Sequence, residues 1–387
     1  MTTRTRIWVL LVSTPVIAFA LIGGYLGHAM AKDGTFQHLR VFEDVVSLVV
    51  NNYVEEVDVR EAMQGALKGL AEGLDPDSAY LTPDMVRAFE TNSQGGAGDV
   101  GISLLRQYYL RVVSTRDGSP AAKAGLRTGD FIRGIDGKPT RNMSAFEGAR
   151  LLQGAPGSSV KLLVFRGNAA EPHDVVLTRE RLSATDITSR MANPTTGYVR
   201  VVEFARDTPA KIRSTFDALA KTGASRYVVD LRGTSKGDLD DGIAVARLFV
   251  KSGTLAVRSS KTQQEIVAAA DADGAIGAPV ALVIGQGTSG AAEVFAAALD
   301  GNDRADLIGE RTLGRVARQR LVKLPDGSGL LISNLRYLTP KSTPLHERGL
   351  QPDVVVDEPD VEFGAAAPAG DKALDAAVAR VAAKPAA

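Results

Sequence analysis

Residues 118–140 read GSPAAKAGLRTGDFIRGIDGKPT, and this stretch sets the character of the region around it. Its centre, DFIRGI, is a short apolar run bounded by glycine and aspartate breakers, the pattern of a strand between tight turns. The same pattern recurs on both sides in ISLL, YLRVVS, VKLLVF and HDVVLTRE. One helix interrupts them, SAFEGARLL, from Ser144 to Leu152. Residues 96–183 are therefore expected to form one compact, β-rich module.

Beyond it the period changes. YVRVVEF (198–204), RYVVDLR (226–232), PVALVIG (279–285) and ADLIGE (305–310) read as strands. TPAKIRSTFDALAKTG (208–223), LDDGIAVARLFVKSG (239–253) and AAEVFAAALDG (291–301) read as helices. Strands alternating with helices predict an α/β core over 184–359. The Ala/Pro-rich tail, 360–387, carries one short helix in DKALDAAVARVAA. On the other side, 32–95 is helical. Phe36, Leu39, Phe42, Val46 and Val49 recur at helical spacing, and Met63, Leu67 and Leu70 mark a second face. Gly73 and Pro76 stop it. LDPDSAYLTPD (74–84) is turn-rich, and GGAGDVG (95–101) is a boundary or a binding loop.

Residues 7–27 carry no charge, with Arg4 and Arg6 before them and Lys32 and Asp33 after. A run of ~20 apolar residues spans a bilayer as a helix. The basic flank keeps the short N-terminal side inside and places the body outside the cytoplasm, periplasmic or otherwise extracytoplasmic. Ala29-Met30-Ala31 resembles a cleavage site, which makes secretion after Ala31 the competing outcome. The run exceeds the ~7–15 residues of a signal h-region, so residues 1–31 are expected to stay as a membrane anchor.

Composition removes other classes. Lys+Arg and Asp+Glu both number 45, so there is no basic surplus for nucleic acid. A hydrophobic fraction of 44% excludes a disordered polyampholyte. With no cysteine there is no disulfide, thiolate zinc site, iron–sulfur cluster or Cys nucleophile. His28, His38, His173 and His346 are scattered and form no metal-binding pair, so no metal and no cofactor are expected. One motif argues for a cofactor all the same. Gly285-Gln286-Gly287-Thr288-Ser289-Gly290 is a literal G-x-G-x-x-G between a strand and a helix, with Glu310 twenty residues on. Such a turn seats a pyrophosphate on a helix N-terminus. A strand-to-helix turn also needs small residues for its own sake.

A resemblance covers nearly the whole chain. LDPDSAYLTPD, GDVGISL (98–104), the 118–140 stretch, LLQGAPGSSVKLLVFR (151–166), VVDLRG, GERTLG (309–314), LPDGSGLLISNLRYLTP (324–340) and GLQPDVVV (349–356) resemble, in order, the C-terminal processing peptidases, or tail-specific proteases. The resemblance implies a helical N-terminal segment, an inserted PDZ domain and a crotonase-like α/β peptidase core. It also implies serine endopeptidase activity and recognition of protein C-terminal tails. An extended tail adds a strand to the PDZ sheet edge, its carboxylate received by backbone N–H groups at Gly101 and Ile102.

At the active site this sequence departs from the resemblance. The family pairs a Ser nucleophile in S/T-A-S-A-S-E with a Lys base in T-F-G-K-G. Here the motifs read Thr288-Ser289-Gly290-Ala291-Ala292-Glu293 and Thr312-Leu313-Gly314-Arg315-Val316. Gly290 stands at the nucleophile position and Arg315 at the base position. Glycine has no nucleophile, and a guanidinium with a pKa above ~12 accepts no proton near neutrality. The family's oxyanion loop D-L-R-N-N-P-G-G reads Asp230 to Gly237 with Lys236 before Gly237, so a side chain stands where a glycine is expected. The expectation is a pseudopeptidase that binds tails without cutting them, as a homo-oligomer or paired with an active relative. The alternative is an active endopeptidase with a displaced Ser289/Lys236 pair. In the blander reading Ser289 caps the helix near Ala291 and Ala292, Arg315 pairs with Glu310 or another core carboxylate, and His346 lies on the surface.

Overall fold

A computed structural model describes residues 37–91, 96–167, 171–182, 186–269, 273–359, 361–365 and 369–384. The apolar segment 7–27, the site at Ala31 and Phe36 lie outside the described residues. No helix among the described residues is long and apolar enough to cross a membrane.

The chain divides into two compact units, Met1–Gly69 and Leu70–Ala387. The first holds a helix over 37–52 and the start of the helix Val59–Glu72. The helical spacing is realised, and Leu39, Phe42 and Val49 are exposed on it.

Among the described residues, the second unit contains three sheets. Its centre is six-stranded, in the order Val354–Val355, Ala305–Gly309, Val280–Ile284, Arg226–Asp230, Thr196–Val201, Ile187–Asn193. All neighbouring pairs are parallel except the last. The inner strands are continuous apolar runs because both faces are covered. Val229, Leu282 and Leu307 face the helices Thr208–Lys221, Leu239–Ala246 and Ala291–Gly301. Val228, Ala281, Val283 and Ile308 face Ala373, Leu374, Ala377 and Val381 of the C-terminal helix Lys372–Ala382.

A second sheet packs Gly329–Leu338 between Ala79–Leu81 and Thr254–Ser259, with Gln264–Ala268 and Ala317–Lys323 completing it. Ala79–Leu81 lies inside the stretch read from sequence as a turn. It pairs antiparallel with Gly329–Leu331, about 250 residues away, and no local pattern announces such a partner. The helix starting at Leu239 is shorter than its apolar pattern, ending at Ala246, because Phe249 and Val250 are buried from a following turn.

The β-rich module is the third sheet, in the order Ile102–Gln107, Tyr109–Thr115, Phe131–Ile135, Ser159–Phe165, His173–Thr178. Ser144 caps the helix Ala145–Leu152, accepting from the Glu147 N–H at 3.1 Å. Ser119 does the same for the one-turn helix Pro120–Lys123. This module is docked on the core through Ser235. Its hydroxyl lies 2.5 Å from Ser114 Oγ and 2.8 Å from Ser103 Oγ. Arg200 adds a two-pronged pair to Asp117 at 3.0 and 3.1 Å.

Candidate active site

The strand Val280–Ile284 runs into a sharp turn before the helix Ala291–Gly301. The turn is held by hydrogen bonds from four of its residues, Gly285, Thr288, Ser289 and Gly290. Thr288 Oγ1 accepts from the Gly285 N–H at 3.0 Å and donates to the Leu231 carbonyl at 2.8 Å. The Ser289 N–H donates to Thr234 O at 2.9 Å, and the Gly290 N–H to Arg315 O at 3.0 Å. Gly290 has φ 64° and ψ −126°. Side chains adopt this backbone only under strain, and strand-to-helix elbows use it to present a nucleophilic serine. Glycine adopts it freely. A Cβ here would have room: its nearest neighbours would be Ser235 O at 3.8 Å, Arg315 O at 3.9 Å and Leu239 Cδ2 at 3.9 Å. The turn thus has room for a side chain that Gly290 does not carry.

Glu293 joins the elbow to the 312–315 loop. It is fully buried and accepts from Thr312 Oγ1 at 2.5 Å, Gly314 N at 2.5 Å, Arg315 N at 2.7 Å and Gly290 N at 3.3 Å. Burial pushes its carboxyl up to about 7, against the pull of those donors. Leu313 N–H donates to Thr288 O at 3.1 Å, closing the loop onto the turn.

Arg315 does not pair with Glu310. Its Nη2 lies 2.6 Å from Asp77 Oδ1, and its Nη1 donates to the Leu104 carbonyl at 3.1 Å. Asp77 belongs to the 74–84 segment and Leu104 to the first strand of the β-rich module, so this side chain ties three parts of the unit together. Glu310 instead accepts from the Glu358 N–H at 3.0 Å.

Ser289 is 1% exposed, and its hydroxyl has no hydrogen-bond partner among the described residues. It is not the cap: Gly290 occupies that position, and Glu293 reaches back to its N–H. Lys236 is half-buried, its carbonyl accepting from the Phe204 N–H at 3.1 Å, and its ammonium makes no ion pair among the described residues. Gly237 sits at φ 121°, where a Cβ would meet Phe204 O at 2.4 Å. The loop therefore holds Lys236 and Gly237 against Phe204, and no hydrogen bond joins Lys236 to Ser289. His346 is not a free surface residue. It is half-buried, and its Nδ1 accepts from the Val316 N–H at 3.3 Å.

The dinucleotide reading of Gly285–Gly290 fails on geometry. The Gly285, Thr288, Ser289 and Gly290 N–H groups all donate within the protein. A Cβ on Gly287 would lie 2.6 Å from Thr128 Oγ1 and 2.9 Å from Val113 O, so the space a pyrophosphate needs is filled by the β-rich module.

At the other predicted site, Gly101 adopts φ 80° against Ser119, where a Cβ would come within 2.3 Å of Ser119 Cβ. Its N–H is not free, donating to Asp99 Oδ1 at 2.7 Å. Ile102 is buried and registers with Thr115.

This constellation, a positive-φ elbow facing a glycine-rich loop under a small β-rich module, is that of a serine peptidase core carrying a PDZ domain. The profile of peptidase family S41 matches residues 195–356, and that of the PDZ domain matches 111–166. The chain is 32% identical to the carboxyl-terminal-processing protease of a Picosynechococcus strain, over 78% of this chain and 75% of that protein. It is 27% identical to the carboxy-terminal processing protease CtpA of Bacillus subtilis, over 92% and 78%. A chloroplastic carboxyl-terminal-processing peptidase of Arabidopsis thaliana is 32% identical over 77% of this chain, which spans 61% of that relative's length. The solved photosystem II D1 C-terminal processing protease superposes with a TM-score of 0.70 at 28% identity, covering 82% of this chain and 86% of that one. The chain belongs to the carboxyl-terminal processing peptidases of family S41.

Three residues of the site escaped the sequence reading in their present roles. Glu293 served there only as a motif anchor. Asp99 offered an acid in a Gly-rich loop, two residues before Gly101, which is the spacing of an Asx turn. Asp77 offered no signal, since its partner is 238 positions away.

Proposed function

We propose that this chain is a catalytically silent member of its family, which holds protein C-terminal tails through its PDZ domain and does not cleave them. Gly290 carries the reading. The elbow retains its nucleophile-presenting backbone, and no oxygen stands on it to attack a carbonyl. Arg315 removes the second function. A guanidinium paired with a buried carboxylate accepts no proton from a hydroxyl, so a neighbouring serine would need Lys236 as its base.

The displaced site is the weaker alternative. A nucleophile must reach the scissile carbonyl, and Ser289 is buried. Tail capture proceeds by strand addition along Ile102–Gln107, the edge of the PDZ sheet. The carboxylate must first displace Asp99 from the Gly101 N–H. The uncharged segment 7–27 supports an anchored, extracytoplasmic body, or a secreted one if residues 1–31 are removed. There the protein would act as a homo-oligomeric adaptor or as the regulatory partner of an active relative. Incubation of the full chain in detergent with a loosely folded protein ending in an apolar tail tests this. Retention of uncut substrate is expected; a truncated product lost on Ser289→Ala would establish the displaced site.

A further inference from the structure

A cavity of about 510 Å³ opens where the nucleophile elbow, the 310–313 loop and the 347–357 segment meet the PDZ strand Tyr109–Thr115. Arg111, Gln286, Glu310, Arg311, Glu347 and Asp357 are among its lining residues, whereas Gly290, Arg315 and Lys236 are not. The volume falls within the ~300–1,000 Å³ usual for small-ligand sites. Arg111 is the unusual member. It is half-buried, its Nε has no hydrogen-bond partner, and it forms no ion pair among the described residues. Its two polar contacts are long, 3.4 Å to Gln107 Oε1 and 3.4 Å to Gln286 Oε1, both neutral amide oxygens. Burial pulls this guanidinium below its ordinary range, and no neighbouring carboxylate restores it. Arg304, lowered by burial in the same way, is satisfied by the carbonyls of Phe249, Ile276 and Ala278 at 2.5–3.1 Å, a set that Arg111 lacks. Glu310, the acid nearest in the lining sequence to the elbow, is occupied by the Glu358 N–H. Glu347 and Asp357 are exposed on the cavity rim and make no ion pair among the described residues.

We propose that this cavity binds a small zwitterion through its α-carboxylate, with the carboxylate on Arg111 and the ammonium against Glu347 and Asp357. A planar guanidinium whose Nη1 and Nη2 are held only by 3.4 Å contacts offers the fork that a carboxylate fills with two hydrogen bonds. Glu310, Glu347 and Asp357 outnumber Arg111 and Arg311 in the lining by one charge, which favours a ligand carrying a cation at its other end over a phosphate dianion. The α-carboxylate comes from a free amino acid or from a short peptide. Because Arg111 reaches from the PDZ domain to Gln286 of the elbow, the occupant would bridge the two domains. The inference does not rest on tail capture. Arg111 registers with Leu105, four positions along the strand from Gly101.

Calorimetric titration of the full chain in detergent tests it, with trialanine, trialanine amide, N-acetyl-trialanine and alanine as probes. Trialanine is expected to bind at least about tenfold more tightly than its amide, the worth of one charged hydrogen bond. N-acetylation weakens binding in the natural chain and not in Glu347→Gln/Asp357→Asn. Arg111→Gln abolishes the preference for a free carboxylate, and Arg111→Lys, which keeps the charge, retains part of it. Alanine binding as tightly as trialanine assigns the site to amino acids; tighter trialanine assigns it to peptide ends. Trialanine binding that survives Arg111→Gln unchanged would overturn the proposal, as would equal affinity for the amide or no binding at millimolar probe. None of these outcomes depends on whether the chain cleaves proteins.

Discussion

Arg315 Nη2 lies 2.6 Å from Asp77 Oδ1, and this pair makes the arginine a structural clamp. The Asp77 side chain is 3% exposed and that of Arg315 29%, so the carboxylate depends on the arginine for its counter-charge. With Nη1 on the Leu104 carbonyl, the same side chain holds the peptidase core, the 74–84 segment and the PDZ edge strand in one arrangement.

Removing the arginine should therefore unsettle more than chemistry. Arg315→Met leaves a buried carboxylate without a partner and is expected to lower stability by about 2–3 kcal/mol, below the full penalty of a wholly buried pair. Asp77→Asn in the same chain should restore part of the loss. Urea unfolding of the two single variants and the double variant measures the coupling, and additive losses would dissolve the clamp.

Glu293 makes a prediction about pH. Its carboxyl titrates at about 7 in the folded chain against an ordinary 4.5. A raised acid binds its proton more tightly when folded. Its contribution is thus fully present below about pH 4.5, falls as pH rises toward 7, and is flat above, a change of about 3 kcal/mol. Glu293→Gln should remove that slope from the pH dependence of the unfolding midpoint. It should also destabilise the chain at pH 5 by about 1–3 kcal/mol, because one amide oxygen cannot serve four donors.

The elbow makes a prediction about strain. Gly290 sits at φ 64° with open space around a would-be Cβ. Gly290→Ala adds no clash, only the cost of holding an L-residue in that conformation, about 1–3 kcal/mol. A denaturant midpoint unchanged by this substitution would mean that the elbow relaxes.

Much of this was legible in the chain itself. The PDZ strands and the helix capped by Ser144 follow local period and turn chemistry, as do the buried strands Val280–Ile284 and Arg226–Asp230. The reading of Gly290 and Arg315 as the nucleophile and base positions rests on motif spacing and the family resemblance. What stayed hidden is long-range. Ala79–Leu81 becomes a strand only because Gly329–Leu331 offers it an edge. Arg315 turns to Asp77 rather than to nearby Glu310, a choice made by the packing of three segments. Ser289 reads as a helix cap by residue type, yet the elbow turns its hydroxyl into the interior and gives the capping position to Gly290.

Asp99 makes a prediction about ligand capture. Its carboxylate already holds the Gly101 N–H at 2.7 Å, where a tail carboxylate would bind. Asp99→Ala frees that donor and removes a like charge, so affinity for an apolar peptide with a free C-terminus should rise by about tenfold. The amidated peptide should gain little. Fluorescence anisotropy of both peptides decides it, and an equal gain for the amide would place the carboxylate elsewhere.

The most direct test of catalytic silence is a cleavage assay on an unfolded protein with an apolar tail. It compares the natural chain with Gly290→Ser/Arg315→Lys, alone and combined with Lys236→Gly. The natural chain is expected to be inert, and the triple variant to cut, because the elbow backbone and the Glu293 hydrogen bonds are already formed. Cleavage by the natural chain, abolished by Ser289→Ala, would contradict the account and place the nucleophile one residue before the elbow.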